Sequence, residues 1–422
     1  SERTIFRLAR LAAPGARVAS WCVAGHVRRA LTAAGFSVSK RAGYGSKRES
    51  LAAFWPEHPQ PVGDITEAVV IGAGIAGASM ARQLAARGIA VTVIDKALPA
   101  TGASGNPVAV VRPEPGGADN PIAEFSAAGV IWLRRWLAVH GANVPYAFCG
   151  ALRMTRDQRR HDKLAAHSQT MPDEWLQELG QQQAAHIGGQ EIAGPAFLLP
   201  WSAWVQASAL VNAMLDHPLI QVRTGLDVHQ LSPLDAGSWA LALSDESQLK
   251  ASTVVLANAF GELSPVPLAL DRARGQLSYL PAREGHTLHV IVCRDGYITP
   301  AVNGLHTIGA TIRYDDEDGA ARESDDVENF QRLQRLLPGF AQSADQLQSG
   351  RVSWRATTQD RLPMVGKLAE GLYASLAHGS RGIACAPLCA EFIAAMMMNE
   401  PLPLAAEWVG RLDPLRFRPR SP

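Results

Sequence analysis

The sequence predicts a mixed α/β fold. At 422 residues, the chain is long enough for two domains and a substantial core. The stretch EAVVIGAGIAGASMARQLAARGIAVTVIDK, from Glu67 to Lys96, contains a short apolar run, a glycine-rich turn, a helical segment and a second apolar run. Short strand patterns then recur along the rest of the chain. These observations indicate a β-α-β unit followed by further strands.

The glycine-rich turn has the spacing of a dinucleotide-binding unit. The run Ala68–Ile71 predicts a buried parallel strand, and Gly72, Gly74 and Gly77 complete the pattern Gly-x-Gly-x-x-Gly. The first glycine allows a tight turn, the second lets the backbone approach a pyrophosphate, and the third lets the helix pack on the strand. Asp95, at the end of the second strand, lies where an acidic side chain can hold a ribose hydroxyl. Since strand, helix, strand and acid are in register, we interpret the stretch as a dinucleotide site rather than an ordinary glycine-rich turn.

Further elements follow this fingerprint. The loop Ala100–Asn106 is dense in small residues and backbone donors, which suits a closely wrapped cofactor. Near the end, the pattern predicts the strand Leu372–Leu376, a glycine turn and the apolar helix Pro387–Met397, whose dipole would favour partial negative charge beneath the turn. A helix is also predicted at Ala207–Leu215. Strands are predicted at Ala147–Met154, Ile220–Thr224, Thr253–Leu256, Leu288–Val292 and Thr307–Thr311.

Composition narrows the class of protein. Hydrophobic residues make up 47% and charged residues 19%, which is typical of a soluble globular chain. No apolar run approaches the roughly 18 residues of a membrane span. The five cysteines are scattered, and Cys385 and Cys389 lack the partners that a zinc site needs, so we predict no metal site and free thiols in a reducing cytoplasm. Because the N-terminus lacks a secretory apolar region and begins with Ser1, we expect a fragment or processed form.

The charge of the chain is unevenly distributed. The net charge is only +1, yet residues 1–55 contain ten Lys or Arg against two Glu, so this segment carries about +8. Such asymmetry indicates a polyanionic partner, although a solvated basic face is the simpler alternative.

The same basic segment predicts half of an α/β unit, which is too short to bury its own sheet. A helix, a strand, a second helix and a second strand are predicted at residues 4–11, 16–22, 24–34 and 36–41. The Pro-rich stretch WPEHPQPVG, residues 55–63, predicts a domain boundary.

Taken together, these segments resemble the amine-oxidising flavoprotein family that includes D-amino acid oxidase, glycine oxidase and sarcosine oxidase. They resemble more closely the bacterial bifunctional tRNA-modifying enzymes, in which a methyltransferase domain precedes a flavin domain. The resemblance in the flavin part rests on VVIGAGIAGASMARQLAARGIAVTVID, GASGNP, FCGALRM, VVLANA, DGYITP, HTIGATIR, RATTQDRLPMVG and GSRGIACAPLCAEFIAAMM. In the first part it rests on VAGHVRRALTAAGFSVSKRAGYGSKRE.

The resemblance implies FAD as the dinucleotide. It implies an FAD-binding Rossmann-like domain with an interleaved antiparallel-sheet substrate domain, preceded by a partial class I methyltransferase fragment at residues 1–55 and a linker at 56–64. The FAD-binding domain would comprise 65–140, 196–262 and 350–422, and the substrate domain 141–195 and 263–349. Because the methyltransferase half would be incomplete, we expect no methyl transfer from this chain alone.

The implied reaction removes the carboxymethyl group from 5-carboxymethylaminomethyl-(2-thio)uridine at the tRNA wobble position. Hydride passes from the carbon beside the nitrogen to the flavin, and water hydrolyses the imine to aminomethyl-uridine and glyoxylate. The implied enzyme is cytoplasmic, monomeric and not membrane-bound, with tRNA as its partner and the missing methyltransferase portion as a further candidate partner.

Two alternatives stay open at this stage. The first is an oxidase or dehydrogenase of free glycine, sarcosine or a D-amino acid with the same fold, which the basic N-terminal segment disfavours. The second is an RNA-binding scaffold with a decayed flavin site, against which the intact motifs argue.

The implied substrate is in effect an N-substituted glycine, and a bidentate guanidinium is the best clamp for its carboxylate. Arg355 in WRATTQD and Arg381 in GSRGIA match positions where relatives hold the substrate carboxylate, unless one of them pairs with a neighbouring acid such as Asp360. Tyr297 in DGYITP would cap the carboxylate with its hydroxyl, or pack as a core tyrosine. His378 would tune protonation, or be a hydrogen-bonded structural histidine.

The resemblance also implies a set of flavin-binding residues from the fingerprint, the small-residue loop, one later strand and the closing turn. They are Gly72, Gly74, Gly77, Asp95, Ala103, Ser104, Gly105, Asn106, Val228, Gly379 and Gly382. The sequence departs from the family at Ala109, where glycine is usual, and this would shift the second phosphate loop slightly. Cys385 lies one position from a cysteine of some relatives, and we infer no covalent flavin bond from it.

Overall fold

The computed structural model describes residues 2–12, 15–43, 45, 47–55, 65–117 and 120–417. Its helices are α1 (Glu2–Leu11), α2 (Gly25–Ala33), α3 (Ile75–Ala85), α4 (Pro121–His140), α5 (Gln158–Ser168), α6 (Gln181–Gly188), α7 (Ala207–Leu215), α8 (Glu323–Gln334), α9 (Gly382–Met397) and α10 (Glu407–Leu412). Its strands are β1 (Arg17–Ser20), β2 (Ser37–Ala42), β3 (Glu49–Phe54), β4 (Glu67–Ile71), β5 (Ala90–Asp95), β6 (Ala109–Val111), β7 (Tyr146–Ala147), β8 (Ala151–Arg153), β9 (Gln177–Leu179), β10 (Ala196–Leu199), β11 (Ala203–Val205), β12 (Ile220–Thr224), β13 (Val228–Pro233), β14 (Trp239–Leu243), β15 (Gln248–Ala251), β16 (Val254–Leu256), β17 (Asp271–Pro281), β18 (Ile291–Cys293), β19 (Tyr297–Ile298), β20 (Leu305–Gly309), β21 (Arg313–Tyr314), β22 (Gln348–Thr357), β23 (Met364–Ala369) and β24 (Leu372–Leu376).

A six-stranded sheet carries the glycine fingerprint. Its strand order is β12-β5-β4-β16-β24-β23, and each neighbouring pair is parallel except β23 with β24. The predicted strands Ile220–Thr224 and Leu372–Leu376 match β12 and β24 residue for residue. Helices α3, α7 and α9 pack on one face of the sheet and strands β13–β15 on the other, so β4 and β16 are apolar on both faces. The mixed α/β prediction is therefore confirmed.

Helix α3 lies close to β4 because Gly77 has no side chain. A Cβ at this position would overlap the carbonyl oxygen of Gly72. Nearly every residue of α3 is buried, and the helix packs between α7 and α9. The third glycine of the fingerprint thus has the packing role that the sequence predicts.

Helix α9 begins at Gly382, five residues before the predicted start at Pro387. The proline lies inside the helix, where burial of the flanking apolar turns compensates for one lost backbone hydrogen bond. The prediction that no run approaches a membrane span was wrong, because Gly379–Met397 is long and apolar enough to cross one. Within the fold, however, 72% of that segment is buried, so it is a core helix.

A nine-stranded sheet forms the second layer. Its order is β21-β17-β20-β19-β18-β8-β10-β9, with β22 pairing to β17, and only β18 with β8 is parallel. Two strands that the domain assignment placed with the FAD-binding domain pair into this sheet, β10 wholly and β22 from residue 350 onward. The predicted strand Ala147–Met154 is divided into β7 and β8 because Gly150 adopts a positive φ of 83°. Two short three-stranded sheets, β6-β11-β7 and β13-β14-β15, complete this part of the chain.

The N-terminal unit is a small α/β layer with an antiparallel sheet of order β1-β3-β2. Strand β3 was not predicted, and it lies between the two strands that were. Its residues Leu51 and Ala53 pack against Leu31 and Phe36, so the unit has a core of its own, contrary to the expectation that it is too short to bury its sheet. The predicted connector, residues 56–63, lies outside the described residues.

Candidate active site

The carboxyl edge of the parallel sheet holds the fingerprint turn. Gly72 has a φ of 107°, and a Cβ there would lie 2.5 Å from the carbonyl oxygen of Ala257. A Cβ on Gly74 would lie 3.1 Å from the Oγ of Ser104. The backbone N–H of Ile75 donates to that same Oγ at 2.9 Å. The turn and the small-residue loop therefore form one cradle that side chains would fill.

Asp95 stabilises this cradle by accepting two backbone hydrogen bonds. Its Oδ2 accepts the backbone N–H of Ala73 at 2.6 Å, and its Oδ1 accepts that of Ala97 at 2.8 Å. A carboxylate has about four lone-pair positions, so two remain for a ribose hydroxyl. Asp95 thus orients the turn besides fitting the predicted role.

The small-residue loop is held by the second layer. Ala103–Gly105 forms a short 3₁₀ turn, and the Nη2 of Arg351 on β22 donates to the carbonyl oxygens of Thr101 and Gly102 at 2.7 and 2.9 Å. Strand β22 therefore positions the loop that faces the fingerprint.

Three buried polar atoms at this edge have no hydrogen-bond partner among the described residues: Asn106 Oδ1, Asn258 Oδ1 and His378 Nδ1. Buried polar groups are nearly always satisfied, so this set fits a polar cofactor such as FAD. The sequence reasoning missed Asn258. The signal was available, since it stands just beyond the carboxyl end of β16, where ligands of parallel sheets bind.

The closing turn lies against the fingerprint helix. A Cβ on Gly382 would lie 3.6 Å from Ile75 Cγ2, and Gly379 has a φ of 55° beside Thr357. Val228 lies elsewhere, at the start of β13, where its side chain is buried in the same apolar cluster as Ile94. A contact between Val228 and the cofactor could come only from its backbone.

A cavity of about 720 Å³ opens beside this turn, between it and strands β8, β17 and β22. Arg355 and Arg381, the two arginines that the resemblance suggests for a carboxylate clamp, both line it. The guanidinium of Arg355 lies across Gly275, where a Cβ would be 2.5 Å from Nη1. Asp360 is not its partner, because both Asp360 oxygens accept from Arg416 at 2.8 and 2.9 Å.

Arg381 differs from Arg355 in having an acidic neighbour. Its Nη2 lies 3.6 Å from Glu114 Oε2, which also accepts from Arg112 at 3.0 Å. Burial raises the pKa of Glu114, but the charges of Arg112, Arg153 and Arg381 outweigh burial, and the pKa lies below its usual value. Glu114 is therefore anionic and offsets part of the charge of Arg381.

Tyr297 and His378 are both neutral at neutral pH. Desolvation raises the pKa of Tyr297 to about 12, and the nearby charge of Arg355 offsets this only in part. Burial lowers the pKa of His378 to about 4, while its Nε2 lies 3.0 Å from Ser375 Oγ. Tyr297 lies on β19 and is not among the residues that line the cavity, but its phenol keeps its proton and can donate a hydrogen bond, while His378 offers an uncharged Nδ1.

The sequence reasoning missed further cations at the cavity. They are Arg153, Arg156, Arg160, Lys163 and Arg361. A signal existed for part of this set, because residues 160 and 163 have the spacing of one helix face and residue 156 stands shortly before them.

A glycine cradle beside a cationic cavity is the arrangement of a dinucleotide-dependent enzyme that acts on an anionic substrate. The family model described as FAD dependent oxidoreductase matches residues 67–396, and that described as S-adenosyl-L-methionine-dependent methyltransferase matches residues 1–56. The tRNA 5-methylaminomethyl-2-thiouridine biosynthesis bifunctional protein MnmC of Azoarcus sp. (strain BH72) is 37% identical over 99% of this chain and 71% of its own length. The corresponding protein of Chromobacterium violaceum is 32% identical over 97% of this chain and 70% of its own length. The chain therefore belongs to the MnmC family of FAD-dependent oxidoreductases.

Solved structures show the same fold. Glycine oxidase from Geobacillus kaustophilus has a TM-score of 0.72 at 18% identity, over 83% of this chain and 99% of its own. Iminodiacetate oxidase from Chelativorans sp. BNC1 has a TM-score of 0.68 at 22% identity, over 82% of this chain and 98% of its own.

Proposed function

We propose that this chain uses FAD to remove the carboxymethyl group from 5-carboxymethylaminomethyl-(2-thio)uridine at the tRNA wobble position. The products are aminomethyl-uridine and glyoxylate. The observation that carries the proposal is the pair Arg355 and Arg381, which lines one cavity beside the glycine cradle. The similarity to proteins named for 5-methylaminomethyl-2-thiouridine biosynthesis supports tRNA as the substrate.

Each side chain at the cavity has a distinct part in this proposal. Arg355, which has no ion pair with any described acid, binds the substrate carboxylate by paired N–H donors. Arg381 adds a second positive charge, weakened by Glu114. Tyr297 does not line the cavity, but it is near enough to Arg355 to be affected by that charge, and in this proposal its phenol donates a hydrogen bond to the carboxylate held by Arg355, since its raised pKa keeps the proton in place.

Three groups of residues would hold FAD. The pyrophosphate and ribose would lie against the cradle residues Gly72, Gly74, Gly77, Asp95 and Ser104, with Ala103, Gly105 and Asn106 behind them. The flavin ring would lie at Gly379 and Gly382. When bound, FAD supplies the two-electron acceptor for oxidation of the carbon beside the amine nitrogen. The uncharged Nδ1 of His378 accepts or donates a hydrogen bond at this turn without adding charge. The oxidised bond is an imine, and water hydrolyses it to release the two-carbon fragment.

In this proposal the enzyme is a monomer in the cytoplasm. Residues 1–55 do not transfer methyl groups, because no glycine-rich cofactor turn occurs in their sequence. The product would therefore stop at aminomethyl-uridine unless a complete methyltransferase domain acts next.

The proposal is tested by supplying two kinds of substrate to the purified chain. One reaction contains tRNA carrying carboxymethylaminomethyl-uridine, and the others contain free glycine or sarcosine. Nucleosides are identified by mass spectrometry, and glyoxylate and peroxide are followed in parallel. We expect conversion to aminomethyl-uridine and no further methylation. Peroxide from the free amino acids with unaltered tRNA would instead establish a small-molecule oxidase. A colourless protein that acts on none of the substrates would favour an RNA-binding scaffold with a decayed flavin site.

A further inference from the structure

The cations around the cavity lie in two tiers. Arg153, Arg355 and Arg381 are half-buried in its interior, whereas Arg156, Arg160, Lys163 and Arg361 are exposed at its rim. One substrate carboxylate is satisfied by one or two guanidinium groups. The interior tier is therefore enough for the carboxylate, and the rim cations need another explanation.

One side of the rim is formed by the start of helix α5 and the residue before its cap. Arg160 and Lys163 are three residues apart on the helix, so their side chains project together, and Arg156 lies just before the capping Asp157. Leu164 lines the cavity beside Arg160, and Leu164 and Ala165 pack against the apolar cluster of Leu176, Phe197 and Leu199. This anchoring holds the basic face toward the cavity.

The other side of the rim is the turn that carries Arg361. Its φ of 62° is unusual for a residue with a side chain, and the preceding Asp360 is held by Arg416. The side chain of Arg361 is exposed and lines the cavity from the side of β22. Cations thus stand on two sides of one opening.

The rim charges are mostly uncompensated. Arg160 shares its charge with the helix-capping Asp157 at 3.0 Å, in an exposed pair of low energy. Arg156, Lys163 and Arg361 have no ion pair within the described part of the chain. Asp271 is the only acid at the exposed rim among the described residues that line the cavity. The positive charges at the rim would repel one another unless an anionic ligand neutralised them.

We propose that this rim binds the phosphates of the RNA nucleotides on either side of the oxidised uridine. The inference rests on the proposed function, because the uridine must enter the cavity while its backbone stays at the opening. Lysine suits a phosphate as a point charge and arginine as a two-pronged donor. The concave shape excludes a flat membrane surface as the occupant, and a free amino acid is too small to reach the rim from the interior clamp.

The test is a double charge reversal, Arg156→Glu with Lys163→Glu, measured against Arg159→Glu. Arg159 is exposed on α5 but does not line the cavity, so this control reverses one charge away from the opening, half the change made in the double variant. Affinity for the modified tRNA is measured from about 50 to 200 mM salt, and turnover is measured with both the tRNA and the free carboxymethylaminomethyl-uridine nucleoside. Flavin absorbance and melting temperature verify that each variant is folded.

We expect the double variant to lose at least about tenfold in tRNA affinity at low salt, and more than it loses with the nucleoside. The slope of log Kd against log salt should fall by about 1.4, since each single-stranded phosphate contact contributes about 0.7. An increase in log Kd for the double variant no more than twice that of the Arg159 variant, or an unchanged slope, would overturn the proposal. If the parent binds tRNA through the rim but oxidises neither substrate, the proposed function fails while the phosphate surface stands.

Discussion

Replacement of Arg355 by alanine should separate substrate binding from cofactor binding. Arg355 has no acidic partner among the described residues, and its guanidinium lies over Gly275 rather than in the core. Removing it therefore leaves no unpaired buried charge behind. The whole effect should fall on the substrate carboxylate.

The size of the loss follows from the kind of interaction removed. A hydrogen bond to a charged group contributes about 1.5–3 kcal/mol. At about 1.36 kcal/mol for each factor of ten, the Arg355 variant should lose about 10- to 150-fold in kcat/KM, mainly through KM. Arg381→Ala should lose less, because Glu114 lies 3.6 Å away and already offsets that charge.

Both variants are assayed by glyoxylate release over a range of modified-tRNA concentrations, with bound flavin measured from its absorbance. The reasoning fails if the Arg355 variant loses its flavin, because the residue would then serve the cofactor. It also fails if Arg381→Ala is the more damaging change, since that would place the main clamp on the other arginine.

Three further predictions concern stability and RNA binding. His378→Asn should flatten the loss of thermal stability as pH falls from 6.5 toward about 4, because in that window the unfolded histidine binds a proton and the folded one does not. Asp325→Ala should lower the free energy of unfolding by about 3–5 kcal/mol in denaturant titrations, since it leaves the charge of Arg274, wholly buried and 2.6 Å away, without its main partner. Reversal of the exposed pair Arg28 and Arg29 to glutamate should weaken tRNA binding at low salt more than at high salt in filter-binding measurements.

Each of these predictions has its own control. An unchanged pH profile in the His378 variant would assign the acid sensitivity to other groups. The exposed Glu49, 2.8 Å from Lys40, is the counterpart of Asp325, and its removal should cost under about 1 kcal/mol. A tRNA affinity unaffected by the Arg28 and Arg29 changes would leave that basic face as ordinary solvated surface.

Local sequence patterns predicted those helices, strands and turns that are determined by the residues of the segment itself. The alternation at β12, the helical periodicity of α7 and the fingerprint around Gly72 are of this kind. The start of α9 was missed because Pro387 suggests a helix boundary, whereas deep burial keeps the helix intact through it. Strand β3 was missed because its place between β1 and β2 is decided by pairing across the unit.

The cavity depended on contacts between distant parts of the chain. Arg355 and Arg381 could be named by resemblance, but their environment could not. Arg416 donates a hydrogen bond to Asp360, which lies 56 residues earlier in the sequence. Arg156 lines the same cavity as Arg355, although it comes about two hundred residues earlier. No periodicity within a short window carries that information, since it arises only when β8 and β22 join one sheet.

Strand β22 has a consequence for how specificity can change in this fold. Arg351 holds the loop at Thr101 and Gly102, and Arg355, four residues further along the same strand, lines the cavity. At about 3.3 Å per residue, the strand fixes a separation of about 13 Å between Arg351 and Arg355. Sliding it to fit a longer or shorter substrate would misplace the loop by the same amount. Variants with new substrates should therefore differ in side-chain length at the clamp, while the strand itself keeps its register.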